Sequence, residues 1–577
     1  MDYEKEGINM ALDNFSRRKR RLGDYLLAER LITPEQLEKS LEVKKHSEKK
    51  LGEVIVDLGF VPEDVMVDVL AKKMNFEKVS PTSAKISDEV LALVTGQILR
   101  KHVMIPIAFK EGNNNTLRVA MADPLDMNAM DDLMMITNLR IEPCISSTSE
   151  IMQALDKYYG NAEAMTAAEQ YAKERQQQLE ADNEEEGNLD VENSPIVILV
   201  KTIIEQAARQ RASDIHIEAM QNKVRVRYRI DGALYEKSSY DIHLLPAIIA
   251  RVKVIGGMDI SEKRKPQDGR ITINVDRKEY DIRVSVLPTV FGEKVVMRLA
   301  LKHAMTMSKS ELGLKPNELK VFDHIVSNPN GIILVTGPTG SGKSTTLYTA
   351  LSELNSEDVN IITVEDPVEV NVDGINQVQV NTKADMTFAN ALRSILRQDP
   401  DIIMIGEIRD AETAGIAVQA SITGHLVVST LHTNSSAATI TRLIDMGIES
   451  YLIADSVVGV IAQRLVRRLC PHCKKARLAT VKEKELLKVD PEQDITIYDK
   501  VGCPQCADTG YRGRIGVYEI MEVTPALKRV ISRMDGTEAI KNQALADGMH
   551  TLRMSAAEYV LDGTTTVSEM LRVSFED

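Results

Sequence analysis

Gly331-Ile-Ile-Leu-Val-Thr-Gly337-Pro-Thr-Gly-Ser-Gly342-Lys343-Ser344-Thr-Thr-Leu347 runs from an apolar, β-rich stretch through a glycine-rich turn into good helix formers. Strand, loop and helix follow in that order, and the loop reads G-x-x-x-x-G-K-S, the phosphate-binding pattern. Successive backbone N–H groups, backed by a helix N-terminus, make a concave anion site suited to a triphosphate. Gly337, Pro338, Thr339, Gly340, Ser341, Gly342, Lys343, Ser344 and Thr345 are therefore read as nucleotide-binding. In that reading Lys343 reaches the β- and γ-phosphates and the Ser344 hydroxyl ligates Mg²⁺. A chance match in a glycine-bearing turn is the bland alternative, and the placement between strand and helix argues against it. The chain reads as an NTPase.

Downstream, short apolar runs alternate with helical stretches. Asn360–Val364 ends at Glu365, Asp401–Ile405 ends at Gly406-Glu407, and Leu426–Leu431 is flanked by His425 and His432. That alternation predicts a mainly parallel sheet covered on both faces, with polar residues at the strand ends carrying the site. A second nucleotide motif usually ends its strand with Asp then Glu. Here Gly406 holds the Asp position, so a further acid must come from a neighbouring strand end. Glu365 is favoured as the water-activating base and Glu407 as the outer Mg²⁺ ligand, with the reverse assignment open. Asp366 and Glu369 have a plainer reading as turn caps. Further on, Cys470-Pro-His-Cys473 and Cys503-Pro-Gln-Cys506 form two C-x-x-C knuckles that suit tetrahedral Zn²⁺ in a structural role, unbound reduced thiols being the alternative. Cys144 is isolated and reads as a small core residue.

Upstream, Val224–Ile230 alternates strictly, placing Arg225, Arg227 and Arg229 on one strand face, and Asp231-Gly232 signals a hairpin turn. Those arginines form either a solvated surface or a row for phosphate oxygens, and both readings stand. A long amphipathic helix over Ile196–Arg209 precedes them. Glu163–Asn193 is rich in Ala, Gln and Glu, which predicts a linker or a solvated helix. From Lys78 to Tyr159 helical stretches near Asp88–Val94, Asn128–Met135 and Ser149–Tyr158 alternate with β-like runs over Val103–Phe109 and Thr116–Ala122. Before them lies a repeat: Arg21-Leu-Gly through Leu41 is echoed by Lys50-Leu-Gly through Leu70. In the first copy Thr33, Pro34 and Gln36 predict a capped helix start. Two similar helical hairpins would explain the apolar positions of the repeat but not its basic-Leu-Gly opening.

A length of 577 residues allows several domains, and 43% hydrophobic with 27% charged residues is ordinary for globular protein. The net charge of −14 argues against a nucleic-acid coat. Five cysteines in so long a chain make no disulfide framework. The N-terminus lacks a signal-peptide pattern, and no apolar run approaches a membrane span. The expectation is a cytosolic chain whose membrane association goes through a partner or a surface.

Taken together, the motifs resemble the hexameric ATPases of type IV pilus assembly and type II secretion. The resemblance rests on the phosphate loop, Thr363-Val-Glu-Asp-Pro-Val-Glu369, Ile405-Gly-Glu-Ile-Arg-Asp410 and Thr423–Asn434, with Ala212–Glu218 and Pro266–Arg270 in front. It implies an α/β multidomain protein in which a RecA-like P-loop NTPase core follows an α+β, PAS-like domain and a helical plus α/β N-terminal region. The corresponding divisions are 1–76, 77–160, a linker over 161–193, 194–305 and 306–577, with a zinc loop over 470–506. Lys343, Glu365, Glu407 and His432 then belong to the catalytic domain, and arginines of the preceding domain, transferred here to Arg227 and Arg229, reach its ATP. The implied cofactors are ATP, Mg²⁺ and Zn²⁺, and the implied assembly is a homohexamer acting on an inner-membrane pilus platform protein at the cytoplasmic face, without nucleic acid. The repeat is similar to a duplicated motif with which some pilus-assembly ATPases bind cyclic di-GMP. That likeness marks Arg21, Leu22, Gly23, Lys50, Leu51 and Gly52 as ligand contacts. Arg30 stands where a glycine is usual, Gly59 keeps it, and Lys44 and Lys73 stand where glutamine is usual. Lys50 lacks the planar fork of arginine. The run Arg17–Arg20 either compensates or meets anionic lipid. A type II secretion engine, a nucleic-acid translocase and a nucleotide-sensing adaptor are the competing functions.

Overall fold

The computed structural model describes residues 21–47, 49–160, 194–276, 278–301 and 308–574. The basic run Arg17–Arg20 and the expected linker over 161–193 lie outside the described residues. The chain divides into two compact units, Met1–Ala300 and Leu301–Asp577.

In the first unit the repeat forms two helical hairpins, α1 (Leu22–Ala28) with α2 (Pro34–Lys45) and α3 (Leu51–Asp57) with α4 (Glu63–Met74). Thr33 caps α2 as its sequence requires: its hydroxyl accepts from the Gln36 amide and the Gln36 side chain accepts from the Thr33 amide. The matched positions Leu26 and Ile55, and Ile32 and Val61, meet in one small core. The leucine-glycine opening also has a packing reason. A side chain at Gly23 would strike Leu37 at 2.8 Å, and one at Gly52 would press on Leu22 and Met66 at 3.4 and 3.6 Å. Leu37 and Met66 are themselves equivalent positions of the two copies.

The next module pairs β1 (Met104–Lys110) antiparallel and β3 (Arg140–Ile145) parallel with β2 (Asn113–Met121). Helices Met127–Thr137 and Thr148–Leu155 contribute Leu133, Ile151 and Leu155 to its core. Helix Pro195–Arg209 then buries Leu199, Ile203 and Ala207 with the apolar face of a six-stranded sheet. That sheet runs β6–β5–β4–β9–β8–β7, from β4 (Ala212–Ala219), β5 (Lys223–Ile230), β6 (Ala233–Asp241), β7 (Gln267–Val275), β8 (Lys278–Thr289) and β9 (Gly292–Leu301). Asp231 and Gly232 take φ of 49° and 86° between β5 and β6, the primed hairpin turn that the Asp-Gly pair signals. Arg209 fastens the helix by ion pairs to Asp156 at 3.0 Å and Asp276 at 3.1 Å.

The second unit is built on a seven-stranded sheet, order β12–β11–β13–β14–β10–β15–β18. Its strands are β10 (Gly331–Thr336), β11 (Ile361–Glu365), β12 (Asn376–Gln379), β13 (Ile402–Ile405), β14 (Leu426–Leu431), β15 (Val457–Leu469) and β18 (Tyr511–Glu522), with the small ribbon β16 (Lys475–Leu478) and β17 (Thr496–Asp499) beside it. All neighbours are parallel except β15 and β18. Odd and even strand positions feed different cores: Ile332 and Leu334 enter one, Ile333 and Val335 the other. Continuous apolar strands covered on both faces are what the alternating sequence predicts. Glu365 is itself the last residue of β11, one place further into the strand than the sequence suggests.

Candidate functional site

The phosphate loop joins β10 to helix Lys343–Leu354, and its glycines do separate jobs. Gly342 is the helix N-cap with φ 92°, and a side chain at Gly337 would meet the Gln463 carbonyl at 2.5 Å. Thr336 closes the floor: its hydroxyl meets that of Thr433 at 2.6 Å and accepts from the Thr433 amide at 2.9 Å, joining the end of β10 to the segment after β14. Lys343 is buried and donates to the carbonyls of Gly337 at 2.8 Å and Pro338 at 3.1 Å. Burial pulls its pKa down, against the attraction of Glu407. Pro338, Thr339, Gly340 and Ser344 are exposed, so the loop crest and the first helical hydroxyl face solvent. The buried Ser341 hydroxyl has no hydrogen-bond partner among the described residues, the state of a cradle whose donors await acceptors.

Two carboxylates stand at adjacent strand ends in different surroundings. Glu407 pairs with Arg409 and lies 3.2 Å from His432 Nε2. Glu365 is 4% exposed and receives Thr363 Oγ1 at 2.7 Å, Gln377 Nε2 at 3.0 Å and the Tyr348 hydroxyl. Gly406 has a steric reason for replacing an aspartate. Its amide bonds the Val364 carbonyl at 2.8 Å, and a Cβ there would sit 3.3 Å from both that carbonyl and the Glu365 Cα. The end of β13 is pressed against the end of β11, and the acids flank the contact.

The four cysteines converge. Sγ separations are 3.8 Å for Cys470–Cys503, 3.9 Å for Cys473–Cys506 and 3.7 Å for Cys503–Cys506, and all four sulfurs lie within 4.8 Å of one another. A tetrahedron with metal–sulfur bonds of about 2.3 Å has edges of about 3.8 Å, so the donor set fits zinc. Amides of Gly502, Cys503 and Gly510 point at the sulfurs at 3.2–3.4 Å and would stabilise thiolates.

In the first unit, Arg225 and Arg227 both bind Glu218, at 3.0 and 2.8 Å, and Lys294 joins them at 3.0 Å. Arg229 and Arg298 share Asp214, at 3.4 and 3.0 Å. Burial pushes the Glu218 carboxyl up, but hydrogen bonds from Arg227, Lys294 and Arg225 outweigh it and hold the pKa at about 2. The expected arginine row is therefore largely matched by acids of β4. Further along the sheet, a cavity of about 510 Å³ is lined by Arg270, Arg283 and Arg298, with Asp268 as its carboxylate. Arg270 and Arg283 face each other directly across β7 and β8. Arg283 and Arg298 were missed by the sequence reading. The alternating Asp281-Ile-Arg283-Val-Ser285 was the available signal, but nothing in it reveals Arg270 opposite.

In the repeat, Arg21 and Lys50 occupy equivalent extended positions just before α1 and α3, and both are exposed. Lys50 pairs with Asp123. Leu22 and Leu51 pack on the repeat core, and Gly23 and Gly52 lie beneath the second helix of each hairpin.

Comparison with known proteins places these features. Residues 190–572 match the family described as type II/IV secretion system protein, and residues 74–165 match the MshEN domain. Both copies of the repeat thus precede the matched MshEN span. The type IV pilus assembly ATPase PilB of Myxococcus xanthus (strain DK1622) is 43% identical over 561 residues, covering 96% of this chain and 98% of that protein. The type II secretion system protein E of Aeromonas hydrophila is 48% identical over 386 residues, covering 67% of this chain and 77% of that protein. Among solved structures, the Legionella pneumophila ATPase DotB superposes with a TM-score of 0.50 at 20% identity, over 66% of this chain and 96% of that one, a likeness of fold. Among the described residues no helix is long and apolar enough to cross a membrane.

Proposed function

The chain belongs to the type II/IV secretion system protein family, and from that premise we propose that it is the ring-forming ATPase that drives type IV pilus assembly. The observation that carries the choice is coverage. The pilus assembly ATPase aligns with 96% of this chain, whereas the secretion protein aligns with 67%, leaving the N-terminal region unaccounted for. In this reading six copies form a ring at the cytoplasmic face of the inner membrane and act on a platform protein there.

The chemistry follows from the second unit. Lys343 leaves the loop carbonyls for the β- and γ-phosphates, and the exposed Ser344 hydroxyl and Glu407 would hold Mg²⁺, which would supply charge neutralisation at the phosphates. His432 orients Glu407, and Glu365 takes the proton of the attacking water. The cavity lined by Arg270 and Arg283 supplies the phosphate-facing cations from a neighbouring copy, in place of Arg227 and Arg229, which Glu218 and Asp214 engage, as Asp214 also engages Arg298. Zinc held by Cys470, Cys473, Cys503 and Cys506 has no open position and is structural. Lys343→Ala should lose both ATP binding and turnover. Glu365→Gln and Glu407→Gln should keep binding and lose turnover. Parent-rate hydrolysis by Lys343→Ala would refute the assignment.

The repeat, adjoining the matched MshEN span, is proposed to bind cyclic di-GMP. Arg21 and Lys50 meet its phosphates, while Gly23 and Gly52 keep the two hairpins closely packed. Calorimetry on the full chain should show binding that Arg21→Ala removes and Lys50→Arg strengthens. No heat at high micromolar ligand would leave the repeat a purely structural pair.

A further inference from the structure

One buried side chain of the phosphate-loop helix faces the site without a role in the chemistry above. Tyr348 stands one helical turn after Ser344 and is 1% exposed, yet its hydroxyl donates to Glu365 Oε2. The phenol proton is directed at the carboxylate. The carboxylate is therefore asymmetric. Oε1 takes two donors, Thr363 Oγ1 at 2.7 Å and Gln377 Nε2 at 3.0 Å. Among the described residues Oε2 takes only the phenol. A carboxylate oxygen accepts two hydrogen bonds, so Oε1 is filled and Oε2 keeps one place.

We propose that Tyr348 is a positioning residue that presents Glu365 Oε2, with a single open acceptor position, to the attacking water. This rests on the reading of Glu365 as the base. Water oxygen bonds to the γ-phosphorus as the bond from that phosphorus to the β,γ-bridging oxygen breaks. The water proton passes to Oε2, and ADP and phosphate leave. Because the phenol sits on the helix that begins at Lys343, the base and the phosphate loop are held in one register.

The test is Tyr348→Phe in the full chain, with ATP affinity, steady-state turnover and the single-turnover rate measured. Turnover should fall about tenfold with affinity unchanged, as expected for a lost orienting bond. Gln377→Leu, which strips a donor from Oε1, should likewise lower kcat without changing affinity and serves if the phenylalanine variant does not fold. In a Glu365→Gln background Tyr348→Phe should add nothing to the single-turnover rate. Parent turnover by Tyr348→Phe, or a further loss in the Glu365→Gln background, overturns the proposal. Parent turnover by Glu365→Gln alone overturns the base assignment beneath it.

Discussion

Arg30 and Gly59 occupy the same place in the two repeat copies, and both take left-handed backbone, with φ of 55° and 71°. Glycine adopts that conformation without penalty, whereas a residue with a Cβ pays roughly 1 kcal/mol for it. Arg30→Gly should therefore raise the stability of the repeat by about 1 kcal/mol, less a few tenths for the added freedom of the unfolded chain, read as a higher midpoint in urea. A lower midpoint would mean that the Arg30 side chain makes a compensating contact. The usual glycine was legible from the repeat alignment, and so was the Thr33–Gln36 cap, because both are local backbone chemistry. Tyr348 was not legible: its partner Glu365 lies 17 residues away on a strand that only the sheet brings beside the helix. Glu218 supplies a pH test of the same kind. Its carboxyl, ordinarily near 4.5, is held at about 2 by Arg227, Lys294 and Arg225 despite burial. A depressed pKa contributes stability that is complete above the ordinary value and is lost as pH falls from about 4.5 toward 2. The stability difference between the parent and Glu218→Gln should accordingly shrink over that window in denaturant titrations, and a constant difference would show that the charge of Glu218 is not what counts.

Strand ends explain both the success and the shortfall of reading this site from sequence. The β10–loop–helix unit and the acids after β11 and β13 were legible because each is contiguous: an apolar run, then a polar residue at its C-terminal end. The gap left by Gly406 looked like a missing ligand, but the close approach of β13 to β11 that favours a small residue there is a property of two strands side by side. The cationic cavity tells the same story. One strand, β5, displays three arginines and drew the sequence assignment, yet its neighbour β4 carries the acids that engage them. The cavity further along the sheet is lined by Arg270, Arg283 and Arg298 from three strands, a juxtaposition that no single strand reveals. The cysteine knuckles were legible as a candidate metal set from spacing, and so was the 33-residue span from Cys470 to Cys503, but not that their sulfurs lie 3.8 Å apart. Purified protein should hold about one zinc ion per chain, released when Cys503 and Cys506 are both changed to serine. The melting temperature should fall with the metal, since β15 and β18 lead into the two knuckles. Metal-free parent protein of unchanged stability would refute the zinc site.

The two units divide the proposed chemistry: the phosphate loop, Glu365 and Glu407 belong to Leu301–Asp577, the arginine cavity to Met1–Ala300. Such a division has a consequence that does not depend on knowing how the units are arranged. If the arginines complete the site of a neighbouring copy, two differently inactive chains can repair each other. A chain carrying Arg270→Ala and Arg283→Ala retains a sound catalytic unit, and a chain carrying Glu365→Gln retains sound arginines. Each alone should be nearly inactive while still binding ATP through Lys343. Mixed one to one under conditions that exchange subunits, a closed ring places a sound catalytic unit beside a sound arginine donor at about one interface in four. Turnover should then recover to about a quarter of the parent rate if interfaces fire independently, and to less if they must fire in concert, because a dead neighbour stalls a live one. The same ratio of chains mixed without subunit exchange should show no recovery, which separates complementation from residual activity. If exchange is verified by labelled subunits and activity still fails to return, the arginines do not complete a neighbouring copy's site with interfaces that fire independently.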